Sequence, residues 1–209
     1  MSKTISLTKA IAHYQSADEI LYQQVKWARS QPQPIVLPKA KPENQYYATL
    51  VNIIIGQQIS SKAAAAVYQR MQREDILEPK KILKLSETKL QQYGLSRQKV
   101  RYIRELAINW GTMATTTFAT ADDELVQQEL TAQYGLGVWS AEMFLIFGLA
   151  RPDVFSIGDL GLRKRITDIY GIPENDHTAI LSISDRWRPH RTVATLTFWY
   201  GIDTVPVLL

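Results

Sequence analysis

The stretch LTAQYGLGVWSAEMFLIFGLARPDVFSIGDLGL, residues 130 to 162, decides the fold. Leu130 to Tyr134 finish a helix, Gly135-Leu136-Gly137 turns the chain, and Val138-Trp139-Ser140-Ala141-Glu142-Met143-Phe144-Leu145 begins a second helix. Glycines at 135 and 137 allow positive φ and close approach by another backbone. The second helix aims its first N–H groups and its positive dipole end at whatever lies beyond the turn, and a phosphate suits that end. The local alternative is a plain helix–helix turn, with glycine in its ordinary place after a helix end. Further on, Gly158-Asp159-Leu160-Gly161 sets a single carboxylate where the next helix starts. N-capping is the commonest job for such an Asp. An anion at that position also suits a base, or a stabiliser of a developing cation, better than a proton donor.

Upstream, residues 5 to 30 predict one or two helices. Leu7, Ile11, Tyr14, Ile20, Leu21, Val25 and Trp27 recur at helical spacing, and Asp18 is the N-cap at the break. Gln31 to Pro38 is an extended linker, since each proline biases its predecessor away from the α region. Tyr46 to Met71 is strongly helical, with Leu50, Val51, Ile54 and Ile55 on one face. Gly56-Gln57-Gln58-Ile59-Ser60-Ser61-Lys62 interrupts it, and Ser60 or Ser61 caps the restart. Helices follow over 76–83, from Ser86 to Tyr93, and from Ser96 to Trp110, where Gly111 ends the run. Met113 to Ala121 has no partner strand and reads as loop. Asp122 or Asp123 opens the helix to Tyr134. Beyond the hairpin helix, which reaches Ala150, Val154 to Ile157 is extended. Helices then cover Asp159 to Tyr170, Thr178 to Trp187 and Arg191 to Tyr200. The pattern is all-α, with many short helices and short connections.

A chain of 209 residues with 45% hydrophobic content is globular and long enough for a real core. It has no cysteine, which excludes disulfides, Cys-ligated zinc, iron–sulfur clusters and a Cys nucleophile. The chain's three histidines, His13, His177 and His190, argue against a multi-His metal centre on numbers alone. No apolar run approaches a membrane span, and no signal peptide is visible, so a soluble cytoplasmic protein is expected. A net charge of +4 permits a polyanionic partner without demanding one.

Two further segments compete as sites. Gln57 and Gln58 put two amides in a kink between apolar helices, where packing does not require them; a solvated loop is the plain alternative. Trp187-Arg188-Pro189-His190-Arg191 is an aromatic and basic cluster at a helix entry, where a structural histidine is the ordinary reading. Arg163-Lys164-Arg165 reads most simply as a solvated helix face.

Taken in order, Ile55-Gly56-Gln57-Gln58-Ile59-Ser60, Leu136-Gly137-Val138-Trp139-Ser140-Ala141, Pro152-Asp153-Val154-Phe155, Gly158-Asp159-Leu160-Gly161 and Trp187-Arg188-Pro189-His190-Arg191 resemble the helix-hairpin-helix DNA glycosylase superfamily. The likeness is to its 3-methyladenine DNA glycosylase II branch, and it spans about residues 40 to 205. It implies one glycosylase unit over 1–209, built as two helical lobes with the active-site cleft between them. Lobe one is about 45–150, with the hairpin near 130–149, and lobe two is about 1–44 plus 151–209.

The resemblance also implies roles. Asp159 matches the catalytic Asp. Gly135, Leu136 and Gly137, with Ser140, match the clamp on a DNA phosphate. The carbonyls of Thr131, Gln133 and Leu136 would hold a monovalent cation, Na or K; no metal or organic cofactor is required for the chemistry. Trp139 stands where glycosylase/lyases carry a Schiff-base lysine, so the chain looks monofunctional. Trp139, Met143, Phe144 and Trp187 would line the base pocket, together with His190, which stands where relatives place an aromatic residue. Gln58 falls at the wedge position, with Gln57 and Ile59 beside it as DNA-binding residues. The expected partner is double-stranded DNA containing damaged bases. A monomer with no membrane association is expected, in the cytoplasm with the nucleoid.

The implied reaction is hydrolysis of the N-glycosidic bond of an alkylated purine, such as 3-methyladenine or 7-methylguanine, flipped from the duplex at a cost of a few kcal/mol. Two other readings stand beside it. One is a non-catalytic helix-hairpin-helix module that grips phosphates only. The other is a glycosylase for oxidised, deaminated or mismatched bases.

Overall fold

The computed structural model describes residues 4–113 and 115–200, and among these every regular element is helical. The N-terminal pair is α1 (Leu7–Ala17) and α2 (Glu19–Ser30). A central set follows: α3 (Tyr46–Gly56), α4 (Ser61–Arg73), α5 (Pro79–Lys84), α6 (Glu87–Gln92), α7 (Arg97–Asn109), α8 (Asp123–Thr131) and α9 (Val138–Phe147). The last three are α10 (Leu160–Tyr170), α11 (His177–Asp185) and α12 (Arg191–Trp199). The helices form two compact units, described residues 4–39 with 150–200, and 40–149.

In the unit of residues 40–149, α3 and α9 make the core. The sequence predicts one apolar face on α3, yet Tyr46, Tyr47, Leu50, Val51, Ile53, Ile54 and Ile55 are all buried. Only Ala48, Asn52 and Gly56 leave a half-exposed strip on α3, and a helix buried this widely sits centrally. It packs against α4, α7 and α9. Each fully buried Leu or Ile there contributes roughly 1.5–3 kcal/mol of transfer free energy. Phe144 of α9 meets the rings of Tyr46 and Phe118 edge-on, with centroids 5.2 and 5.8 Å away.

In the other unit, α2 and α10 pack on α12. Tyr14, Leu21, Val25, Trp187, Phe198 and Trp199 form its buried centre. Asp18 sits among them, buried, as the N-cap of α2.

Most helix starts follow from side-chain caps: Ser6, Asp18, Ser60, Ser86, Ser96, Asp159 and Asp176 each accept an N–H three residues on. Several boundaries differ from the sequence reading, among them the end of α9, at Phe147 and not Ala150, and the end of α11, at Asp185 and not Trp187. Gly111 does not stop α7, whose end runs on through a 3-10 turn, Trp110–Thr112. The helix predicted from Ile76 starts at Pro79, because proline suits the first helical turn. The helix expected to reach Tyr134 ends at Thr131, because the turn to the hairpin begins earlier.

Candidate active site

The hairpin joins α8 to α9. Leu136 donates its N–H to the carbonyl of Gln133 at 3.1 Å, closing the turn. Gly135 has φ +89°, and a Cβ there would overlap the Tyr102 ring, so both conformation and space demand glycine. Gly137 is the N-cap of α9 and brings no side-chain acceptor to the helix start. That leaves the positive end of α9 without a capping side chain, as a phosphate site needs. The carbonyls of Thr131, Gln133 and Leu136 are hard oxygen donors of the kind a monovalent cation takes, and Gln133's keeps a second lone pair beside its bond to Leu136.

The kink between α3 and α4 is tied to this hairpin. Gln57 Nε2 donates to the Gly135 carbonyl at 2.9 Å and to Ser140 Oγ at 3.0 Å. Both amide protons are therefore used within the protein. Ser140 is buried with its hydroxyl on Gln57. The Gln57 and Ser140 side chains thus hold the kink and the hairpin together, a role that the sequence reading did not give them. Gln58 and Ile59 are exposed, and Gln58 has φ +58°. Lys99 of α7, which the sequence reading passed over, donates to the carbonyls of Ile55 at 2.7 Å and Gln57 at 2.8 Å. The signal for it was indirect: α3 ends with no left-handed glycine, and its last carbonyls need a donor from elsewhere.

Asp159 lies in the other unit, at the head of α10. Its Oδ1 accepts the Leu162 N–H at 2.7 Å. The loop before it is stitched to α12. Thr192 Oγ1 donates to the Arg151 carbonyl at 2.6 Å and accepts the Val154 N–H at 3.0 Å. Thr195 Oγ1 donates to the Val154 carbonyl at 3.3 Å. Arg191 holds the Asp153 carboxylate, Nε to Oδ1 at 2.8 Å and an NH2 group to Oδ2 at 3.0 Å. Arg163 donates to the Ile157 carbonyl at 2.7 Å, bracing the turn that presents Asp159. It is therefore more than the solvated face read from the sequence.

Three expected pocket residues are corrected. Met143, Phe144 and Trp187 are each 0% exposed and have no surface to offer a base. Phe144 is in the α3–α9 core. Trp187 donates its indole N–H to Asp18 at 2.9 Å and packs against Phe198, Phe155 and Tyr170. Trp139, in the first turn of α9, is half-buried and keeps accessible surface. His190 is half-buried at the start of α12, its ring 5.7 Å from that of His13. Its carbonyl accepts the Tyr14 hydroxyl at 2.6 Å.

Burial, and then the neighbouring His13, push the His190 pKa below its ordinary 6.5, while Asp153 opposes them. The unfolded chain then protonates this histidine at a higher pH than the folded one does. Its contribution to stability is full above the unfolded pKa and falls as pH drops toward the folded pKa. His190→Gln is expected to lose less melting temperature than the wild type between about pH 7.5 and about pH 5.5. Equal losses in the two proteins would remove His190 from the pH response.

Sequence comparison matches residues 51–189 to the HhH-GPD superfamily base excision DNA repair protein family. The chain belongs to this superfamily. The Bacillus halodurans DNA-3-methyladenine glycosidase structure is similar, with 30% identity and a TM-score of 0.74 over 97% of this chain and 94% of that one. A Schizosaccharomyces pombe 3-methyladenine DNA glycosylase, solved in complex with abasic DNA, is 25% identical with a TM-score of 0.79, over 91% of this chain and 95% of that one. The Bacillus subtilis relative YfjP is 25% identical over 75% of this chain, which spans 59% of YfjP's length. Among the described residues, no helix of this HhH-GPD chain is long and apolar enough to cross a membrane.

Proposed function

We propose that this HhH-GPD protein is a monofunctional DNA glycosylase that hydrolyses the N-glycosidic bond of alkylated purines in duplex DNA. The chain is an alkylbase DNA glycosylase of base excision repair, a hydrolase. The observation that carries the reading is Asp159, held at the head of α10 by a loop stitched at four residues, in a chain that also has the uncapped glycine hairpin.

Each part has a chemical task. The hairpin amides bind a phosphate of the damaged strand, and a monovalent cation on the carbonyls of Thr131, Gln133 and Leu136 would add positive charge beside it. Gln58, exposed at the kink, enters the stack as the base leaves it. Trp139, half-buried in the first turn of α9, would supply a π face to the cationic purine, worth ~0.5–2 kcal/mol. A neutral purine gains less from that face, so the contact selects for alkylation. As the glycosidic bond breaks, the sugar gains positive charge. The Asp159 carboxylate stabilises it and orients or deprotonates the attacking water. The products are the free base and an abasic site. The enzyme acts as a monomer on the DNA of the nucleoid.

The test is base release from duplex DNA carrying 7-methylguanine or 3-methyladenine, with borohydride added in a parallel reaction. Free methylated purine with no trapped covalent adduct is expected, since Trp139 has no amine to form a Schiff base. DNA binding without base release would favour a non-catalytic hairpin module, and a trapped adduct would overturn the monofunctional assignment.

A further inference from the structure

The kink, the hairpin and α7 belong to one unit, and their polar groups interlock. α3 leaves its last turn with carbonyls that no helical N–H can satisfy. Lys99 fills that need, its ammonium on the carbonyls of Ile55 and Gln57. A cation there also complements the negative end of α3. Burial pushes the Lys99 pKa down, which marks a side chain drawn out of water to make these bonds. The very next residue, Gln58, has a left-handed φ of +58°. A glutamine adopts that conformation seldom, and keeps it where its surroundings fix it.

The same helix supports the hairpin. One turn beyond Lys99, Tyr102 lies under Gly135, where a Cβ would overlap its ring. Tyr102 also meets Tyr134 edge-on at 5.1 Å, and the Arg101 guanidinium sits 4.7 Å over the Tyr134 ring. Gln57 closes the circuit from kink to hairpin through Gly135 and Ser140.

We infer that Lys99 is a positioning residue for wedge insertion: by holding the α3 terminus it fixes the backbone of Gln58 and mounts the wedge and the phosphate-gripping hairpin on α7 as one rigid part. The consequence is mechanical. Once a phosphate is seated on the hairpin, the wedge has a set register against the stack, and DNA bending cannot push it back independently. The Lys99 ammonium is taken up by two backbone carbonyls, so it acts through the kink, and its effect falls on steps that need the duplex opened. The inference rests on the glycosylase reading, and on Gln58 as the wedge.

The experiment compares base release from one methylated purine in duplex DNA and in the same single strand, where no stack has to be opened. Lys99→Met keeps the apolar stem and removes the charge. Gln58→Ala removes the wedge. Each is expected to slow release from the duplex by about tenfold or more, while release from the single strand changes by less than about threefold. In the double variant the duplex rate should fall no further than in the worse single variant, because Lys99 acts through Gln58. If Gln58→Ala keeps the duplex rate, the wedge reading fails, and the inference with it. A slow Gln58→Ala beside a wild-type Lys99→Met overturns the role of Lys99 and leaves the wedge standing. Equal slowing of Lys99→Met on both substrates makes Lys99 a general structural residue and also overturns it. Should Lys99→Met fail to fold, Gln57→Leu cuts the tie on the hairpin side. It must show the same duplex-selective loss, and loss on both substrates alike would refute the coupling. Absence of base release by the wild type would instead refute the glycosylase reading itself.

Discussion

Asp159→Asn is expected to fold as the wild type does and to release methylated purines about 10²–10³-fold more slowly. The two halves of that outcome come from the two jobs of one side chain. As N-cap of α10, Asp159 accepts the Leu162 N–H through Oδ1. Asparagine caps about as well as aspartate and keeps a carbonyl oxygen for this bond. The bonds from Thr192, Thr195, Arg191 and Arg163 that shape the loop do not involve the Asp159 carboxylate. Thermal melting should therefore be unchanged. What the substitution removes is the negative charge. An amide neither balances an oxocarbenium-like sugar nor accepts a proton from water. Single-turnover base release from a methylated duplex measures the loss directly. A rate near the wild type would remove Asp159 from the chemistry and return it to the capping role that its position alone explains.

The features that were legible in the sequence are those whose causes are local. A cap and the amide it serves are three residues apart, so Asp18, Ser60, Ser86, Ser96 and Asp159 could be placed from the chain itself. The hairpin was legible because Gly135 and Gly137 are unusual locally. The superfamily was legible because several such motifs stand in one order. What escaped was whatever depends on who lies opposite. Phe144 and Trp187 read as pocket aromatics, since an apolar ring facing a ligand and one facing a core leave the same pattern. Four residues of α3 read as a face, because the second layer that covers its other side comes from α7 and α9. Lys99 reaches carbonyls more than forty residues back, and Gln57 finds its partners across the hairpin. Arg163 looked like part of a charged helix face until its bond to Ile157 was seen.

The second large effect is on stability. Asp18→Ala is expected to cost about 3–5 kcal/mol, seen as a fall in melting temperature of about 10 °C. The side chain of Asp18 is 2% exposed. Its Oδ1 accepts the Leu21 N–H at 3.1 Å. Its Oδ2 accepts the Tyr170 hydroxyl and the Trp187 indole N–H, each at 2.9 Å, with the Arg186 guanidinium at 3.2 Å. One carboxylate thus joins α1, α2, α10 and the segment after α11. Alanine would strip the cap from α2, worth ~0.5–2 kcal/mol. It would also leave the buried indole N–H without an acceptor, and an orphaned buried donor costs roughly 1–3 kcal/mol. Arg186 is about half exposed, so water would take over its share and little would be lost there. Asp18→Asn separates these contributions. It keeps the cap oxygen but turns an amide N–H₂ toward Trp187, so it should cost less than Asp18→Ala while still losing the indole bond. A melting temperature for Asp18→Ala within about 2 °C of the wild type would mean that Trp187 and Tyr170 are held by packing alone. The four-way carboxylate would then be a consequence of the fold and not one of its causes.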